Sequence, residues 1–352
     1  MNPTFHRRMR MLTAEVLPVL RGHYALAVIV LGYAALTLGL TWNLATRYDG
    51  KVIFVGFVGS VLAGPIFALC GYAIYIMLFI RPSRLTLFLL SSVRAYLTRA
   101  RLLHALPVLV LLPVFATCFT ILKGAIPFLH PFAWDRRLSE LDLALHGGVA
   151  PWEWLHQAIS APLLTAIING AYHLWFFIMF ALLYWLAFTM DRPRLRSQFL
   201  LSFVLSWFLL GTLLAIAMSS AGPCFYGRIV DRNDPYAQLL QQLHQSDLQV
   251  KVLALDVQDL LWNEYQDKSG YASIGISAMP SMHVATSVLL ALAGWQINRA
   301  AGIALSLFAL VILVGSVHLG WHYAVDGYAG AAGAGLIWLA VGGYLKRSEA
   351  RP

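Results

Sequence analysis

Charge is what this sequence has least of. Only 12% of its 352 residues are Asp, Glu, Lys or Arg, about half the share found in a soluble domain, while 59% are hydrophobic. Mean hydropathy is +0.70. A water-soluble fold is excluded, and the chain reads as an integral membrane protein. Acidic residues are scarcer than basic ones, 16 against 25, but the basic residues sit in short loops between apolar runs rather than in one stripe. That distribution argues against nucleic acid as a partner and for topology signals. Cysteine is nearly missing. Cys70, Cys118 and Cys224 form an odd trio without motif spacing, which supports neither a disulfide framework nor a metal site. No cleavable signal, internal repeat, low-complexity linker or separate globular domain is evident. The first apolar run follows Arg7, Arg8, Arg10 and Arg21 and is long enough to remain as an anchor.

What the chain does have is long apolar runs, near 24–42, 52–80, 102–122, 163–189, 197–219, 280–298, 301–318 and 327–345. Each approaches the ~20 helical residues that cross a hydrocarbon core of ~30 Å. The expected fold is therefore all-α, a polytopic membrane protein of about eight transmembrane helices. Pro65 lies inside the second run and predicts a kink. Between the second and third runs, 83–101 alternates Leu and Phe with arginines and reads as an amphipathic helix on the cytoplasmic surface; an ordinary basic loop is the alternative. Lys and Arg on alternate sides number 16 on the side of the termini, Arg351 included, and 9 on the other, Arg47 and Lys268 included. The bias predicts both termini in the cytoplasm, in the inner membrane if the cell is bacterial. Loops 123–162 and 220–279 then lie on the extracytoplasmic side.

Chemistry concentrates at Gly315-Ser-Val-His-Leu-Gly-Trp-His-Tyr-Ala-Val-Asp326. If this segment is helical, His318, His322 and Asp326 share one face, and a carboxylate one turn beyond an imidazole can orient it. Its partner is Met279-Pro-Ser-Met-His283, at the start of the sixth run and on the same side. Pro280 suits a first helical turn, and the N–H groups there favour an anion, with Ser281 adding a hydroxyl. Two imidazoles, one backed by a carboxylate, beside an anion site can transfer a phosphoryl group through a covalent intermediate. A lone histidine at this depth is more often a headgroup contact, but three ionisable groups together are costly unless functional. His318 keeps several readings: phosphate contact, hydrogen bond to a substrate hydroxyl, interfacial residue, or metal ligand with His322.

Pro280-Ser-Met-His283 and His322-Tyr-Ala-Val-Asp326 resemble the second and third signature motifs of the type 2 phosphatidic acid phosphatase superfamily. The resemblance implies a six-helix phosphatase-type core, here 102–346 with extracytoplasmic loops 123–162 and 220–279. Residues 1–101 add a basic segment, two helices and the interfacial helix. It also implies that His322 is the nucleophile forming a phosphohistidine, Asp326 its orienting partner and His283 the acid, with no cofactor and no metal. Two features depart from the phosphatase pattern. The arginine expected six residues before the nucleophile is Ser316, and the first motif, Lys-x6-Arg-Pro, is replaced at its expected place by Gly222-Pro-Cys-Phe-Tyr-Gly-Arg228. Lys123 with His130-Pro131 has similar spacing but lies two spans too early and is set aside as coincidence.

These departures look more like the inositol phosphorylceramide synthase branch, whose members move a phosphorylated headgroup between lipids. The expected activity is that of a lipid phosphotransferase acting on a phospholipid donor and a lipid or polyol acceptor. A lipid phosphate phosphatase of the same fold is the alternative, of the phosphatidic acid or polyprenyl phosphate type, and a transporter is the reading from another class. Candidate substrate contacts are Ser281, Arg228, Tyr226, His318, Ser316, Tyr323 and His173, with Asn169 and Tyr172 beside the last. Arg136 and Arg137 are further cations available to replace the missing one.

Overall fold

The computed structural model describes residues 3–43, 50–266 and 275–350; Arg47, Lys268 and Arg351, counted above for orientation, lie outside them. In chain order the principal helices are α1 (Pro3–Thr41), α2 (Gly50–Tyr75), α3 (Leu85–Tyr96), α4 (Arg99–Leu129), α5 (Asp135–Leu145), α6 (Pro151–Ala158) and α7 (Pro162–Phe188). They continue with α8 (Pro193–Phe208), α9 (Ala237–Asp247), α10 (Leu253–Gln266), α11 (Met282–Ile297), α12 (Arg299–His318) and α13 (Ala324–Glu349). No strand occurs among the described residues. The expected all-α polytopic architecture is present, with seven described helices long and apolar enough to cross a membrane.

The remaining expected span, the sixth run, is α11, which is shorter than the others at 16 residues, about 24 Å at 1.5 Å per residue. It is also largely enclosed. α7, α8, α12 and α13 pack around it, and Val284, Ala285, Leu289, Leu290 and Ala293 on it are buried. Hydrophobicity here serves protein packing, so the helix need not match the bilayer thickness. Its start is fixed by Ser281, whose Oγ accepts from the Val284 N–H at 3.4 Å, the usual service of an N-cap serine. At its other end the Arg192 guanidinium donates to the Gln296 and Ile297 carbonyls at 3.0 and 3.3 Å, satisfying acceptors that a helix C-terminus leaves open.

The N-terminal pair joins this bundle from one side. α1 and α2 both pack on α4, and α1 also reaches α8. α8 continues through a π-helical turn, Leu209–Leu214, where the Tyr33 hydroxyl of α1 meets the Thr212 Oγ1 at 2.7 Å. The segment expected to be an interfacial amphipathic helix is helical from Leu85 to Tyr96 and buries none of its residues.

The segments expected as loops are largely structured. α4 runs on to Leu129, α5 and α6 occupy the rest of 123–162, and the amphipathic stretch near 236–265 is two helices, α9 and α10. The buried residues of α5 are Asp135, Leu138, Ser139 and Asp142, spaced as one helical face. This covering layer lies over the end of the bundle where α4 finishes and α11 and α13 begin.

Candidate active site

The segment 315–326 is not one helix. α12 ends at His318, Gly320 takes φ +74°, and α13 begins at Ala324. The expectation that His318, His322 and Asp326 share a helical face is thereby corrected, because the αL glycine turns the chain between the first and second of them. His322 is left on the connection, and Asp326 in the first turn of the next helix. Asp326 Oδ2 accepts from His322 Nδ1 at 3.3 Å and from the Tyr323 N–H at 3.1 Å. That carboxylate is fully buried. With Nδ1–H committed to Asp326, Nε2 is the basic nitrogen left to His322.

Two more carboxylates hold the connection in place. Asp142 accepts from the Ala324 and Val325 N–H groups at 2.8 and 2.9 Å, so a charge from α5 caps the positive end of α13. Asp135 accepts from the Ala221 and Gly222 N–H groups, the shortest at 2.8 Å, and from the Tyr323 hydroxyl at 2.9 Å. Burial pushes both carboxyls up from the ordinary carboxylate range, and the N–H donors offset only part of that rise. Gly222 itself has φ +98°, and a Cβ there would lie 2.6 Å from the Trp321 carbonyl oxygen; only glycine allows this approach. The Ser316 carbonyl accepts from both Trp321 and His322 N–H at 3.0 Å. Asp142→Ala would orphan two buried donors at about 1–3 kcal/mol each, whereas Asp142→Asn keeps one acceptor oxygen. Thermal melting in detergent should therefore rank wild type above Asn above Ala, and an alanine variant as stable as wild type would contradict the capping role.

His283 faces His322 across the site, with ring centroids 6.5 Å apart. It is held in an aromatic clamp from α7: Tyr172 stacks on it at 4.4 Å and Trp175 lies at 4.3 Å, with Phe176 edge-on at 6.0 Å. The spacing of three and four places these rings on one helical face. Such a clamp restricts the imidazole's rotation and tolerates its cation.

Both histidines line a cavity of about 790 Å³. Its wall runs along α7 from Tyr172 to Leu183, roughly 16 Å of helix, and takes in Phe57 and Val61 of α2 and Phe115 and Phe119 of α4. Neither Asp, Glu nor Arg occurs among its described lining residues. The three carboxylates therefore stand behind the histidines, away from the space an anion would enter.

A family model described as the PAP2 superfamily matches residues 136–340, more than half of the chain. The chain belongs to the PAP2 superfamily. Its members are phosphatases or phosphotransferases, and the match spans both histidine motifs. Comparison with curated proteins and with solved structures returns no match.

The remaining residues expected at this PAP2 site divide sharply. His173 lines the cavity, its Nδ1 donating to the Asn169 carbonyl at 2.8 Å. Ser281 is buried as the N-cap of α11 and Ser316 donates to the Leu313 carbonyl at 2.7 Å; neither lines the cavity. His318 is also outside it. Its Nε2 meets the Thr165 hydroxyl at 3.0 Å and its ring lies tilted against His156, centroids 4.3 Å apart. Tyr323 is committed to Asp135, and Tyr226 packs edge-on against Tyr236 at 5.5 Å. The three arginines are drawn outward: Arg228 pairs with Asp259 at 3.7 Å and lies over Trp262, Arg136 pairs with Asp231 at 3.6 Å, and Arg137 lies over Trp134. None of them reaches the cavity lining. Lys123, set aside because it lies two spans ahead of the expected first motif, does.

Proposed function

We propose that this protein is an integral membrane lipid phosphotransferase that moves a phosphorylated headgroup from a phospholipid donor to a lipid or polyol acceptor. One observation carries the reading: the His322–Asp326 pair faces His283 at the end of a long apolar cavity. A soluble phosphate ester has no use for such a wall, whereas a lipid tail gains from every apolar surface it removes from water. The site opens on the extracytoplasmic face, as the distribution of lysine and arginine implies.

His322 Nε2 attacks phosphorus while Asp326 holds Nδ1–H and stabilises the charge that develops on the ring. An N–P bond forms and the P–O bond to the lipid alcohol breaks. The departing oxygen keeps that electron pair and takes the proton carried by His283. The acceptor hydroxyl then gives its proton to His283 and attacks phosphorus, and the N–P electron pair returns to His322. The headgroup is a phosphodiester in the donor. A diester carries one negative charge on the transferred group, and a cavity whose described lining holds one lysine and no arginine matches that charge better than a phosphomonoester dianion. Within the superfamily these features favour the inositol phosphorylceramide synthase branch.

Purified protein in mixed micelles with a headgroup-labelled phospholipid tests the reading. Label should appear on an added lipid or polyol alcohol, with little free headgroup phosphate when that alcohol is omitted. Rapid release of free headgroup phosphate without acceptor would instead assign a hydrolase, with water as the acceptor.

A further inference from the structure

We propose that Lys123 is the cation that binds the transferred phosphoryl group, replacing from α4 the arginine that Ser316 does not supply. The inference rests on the lipid phosphotransferase reading of the same site. Lys123 lies ahead of the segment matched to the superfamily, on a helix that enters the site from the side of the N-terminal pair.

Lys123 is the sole lysine or arginine among the described residues lining the cavity, and no carboxylate lines it. Among the described residues it makes no ion pair. It lies within Coulombic range of the His283 imidazole, so a group seated between the two histidines is in its field. An ammonium partly buried beside an apolar cavity without a counter-ion is costly to the fold. Such an arrangement is sustained when an anion is the ligand, and in the reaction the same charge stabilises the oxygens on phosphorus as the bond order changes. Each of the three buried carboxylates of the site takes N–H or hydroxyl donors behind His322, none of the three lines the cavity, and Lys123 is left facing the substrate space.

Its placement is built into the backbone. The chain leading into α11 passes so close to α4 that a Cβ on Gly275 would collide with the Lys123 carbonyl and the Gly124 Cα. This contact joins the turn carrying Lys123 to the segment that delivers Pro280 and His283. A short gap in sequence could not do so, because the two residues are far apart in the chain and meet only through packing.

Lys123→Met and Lys123→Arg in the full-length protein, assayed with the labelled phosphodiester donor, test the assignment beside His322→Ala. Methionine should lower kcat/KM at least 100-fold and weaken inhibition by orthovanadate at least 30-fold, and arginine should restore a tenth or more of both. The melting temperature of Lys123→Met should equal or exceed that of wild type, since a partly buried charge without a counter-ion is removed; a structural lysine would give the opposite. Wild-type kinetics and vanadate inhibition in Lys123→Met, with His322→Ala inactive, would overturn the role of Lys123 alone. Wild-type turnover in His322→Ala would overturn the underlying reading.

Discussion

Replacing His322 by alanine should lower turnover of a phospholipid donor by roughly 10⁴-fold or more, the scale on which loss of a covalent nucleophile is felt, while leaving the protein folded. The loop around it has other supports. Asp326 keeps the Tyr323 N–H as a donor, the Ser316 carbonyl keeps the Trp321 and His322 N–H groups, and Asp142 still caps α13. Alanine therefore removes the attacking nitrogen without orphaning the carboxylate behind it. Size-exclusion behaviour and melting temperature should stay close to wild type, so the loss will read as chemistry. Turnover within tenfold of wild type would mean that the phosphoryl group does not pass through His322.

The second large effect concerns His283 and depends on the leaving group. With a natural lipid alcohol departing, His283→Gln should cost about 10²–10⁴-fold in kcat/KM, the usual contribution of a positioned acid. A donor whose leaving group is p-nitrophenol departs without needing a proton, so its first step should slow less than tenfold. The acceptor hydroxyl still lacks its base in the second step, and the variant should therefore accumulate covalent intermediate with the activated donor. Glutamine retains the volume that Tyr172 and Trp175 pack against, which limits the change to the proton. An equal loss for both donors would make His283 a packing residue rather than the acid.

Periodicity and capping made much of the fold legible. Long apolar runs gave the helices because a bilayer demands them, and the start of α11 was placed within two residues, although Pro280, expected in the first turn, stands ahead of it and Ser281 serves as its N-cap rather than as a hydroxyl for an anion. The His322–Asp326 pair was also readable, but for a reason other than the one the spacing suggested. It is a histidine ahead of a helix bonded to an acid in that helix's first turn, and Gly320, a residue suited to a helix end, was the available signal that His318 would face elsewhere. Asp135 and Asp142 looked like loop charges. Their spacing with Leu138 and Ser139 follows one helical face, and that pattern identifies a buried carboxylate pair once the segment is recognised as a helix. Lys123 was legible only as a spacing match with His130-Pro131, which was set aside because it lies two spans ahead of the place where the first motif is expected. Its position depends on contacts between helices distant in sequence, which no motif encodes.

The most direct test of the account is to mix the enzyme rapidly with a donor labelled at phosphorus, quench in alkali, where phosphohistidine survives, and map the labelled peptide. The account predicts label on His322, formed before product and chased by added acceptor, and none in His322→Ala. Product formation at the full rate with no labelled protein, or with the label on another residue, would contradict it.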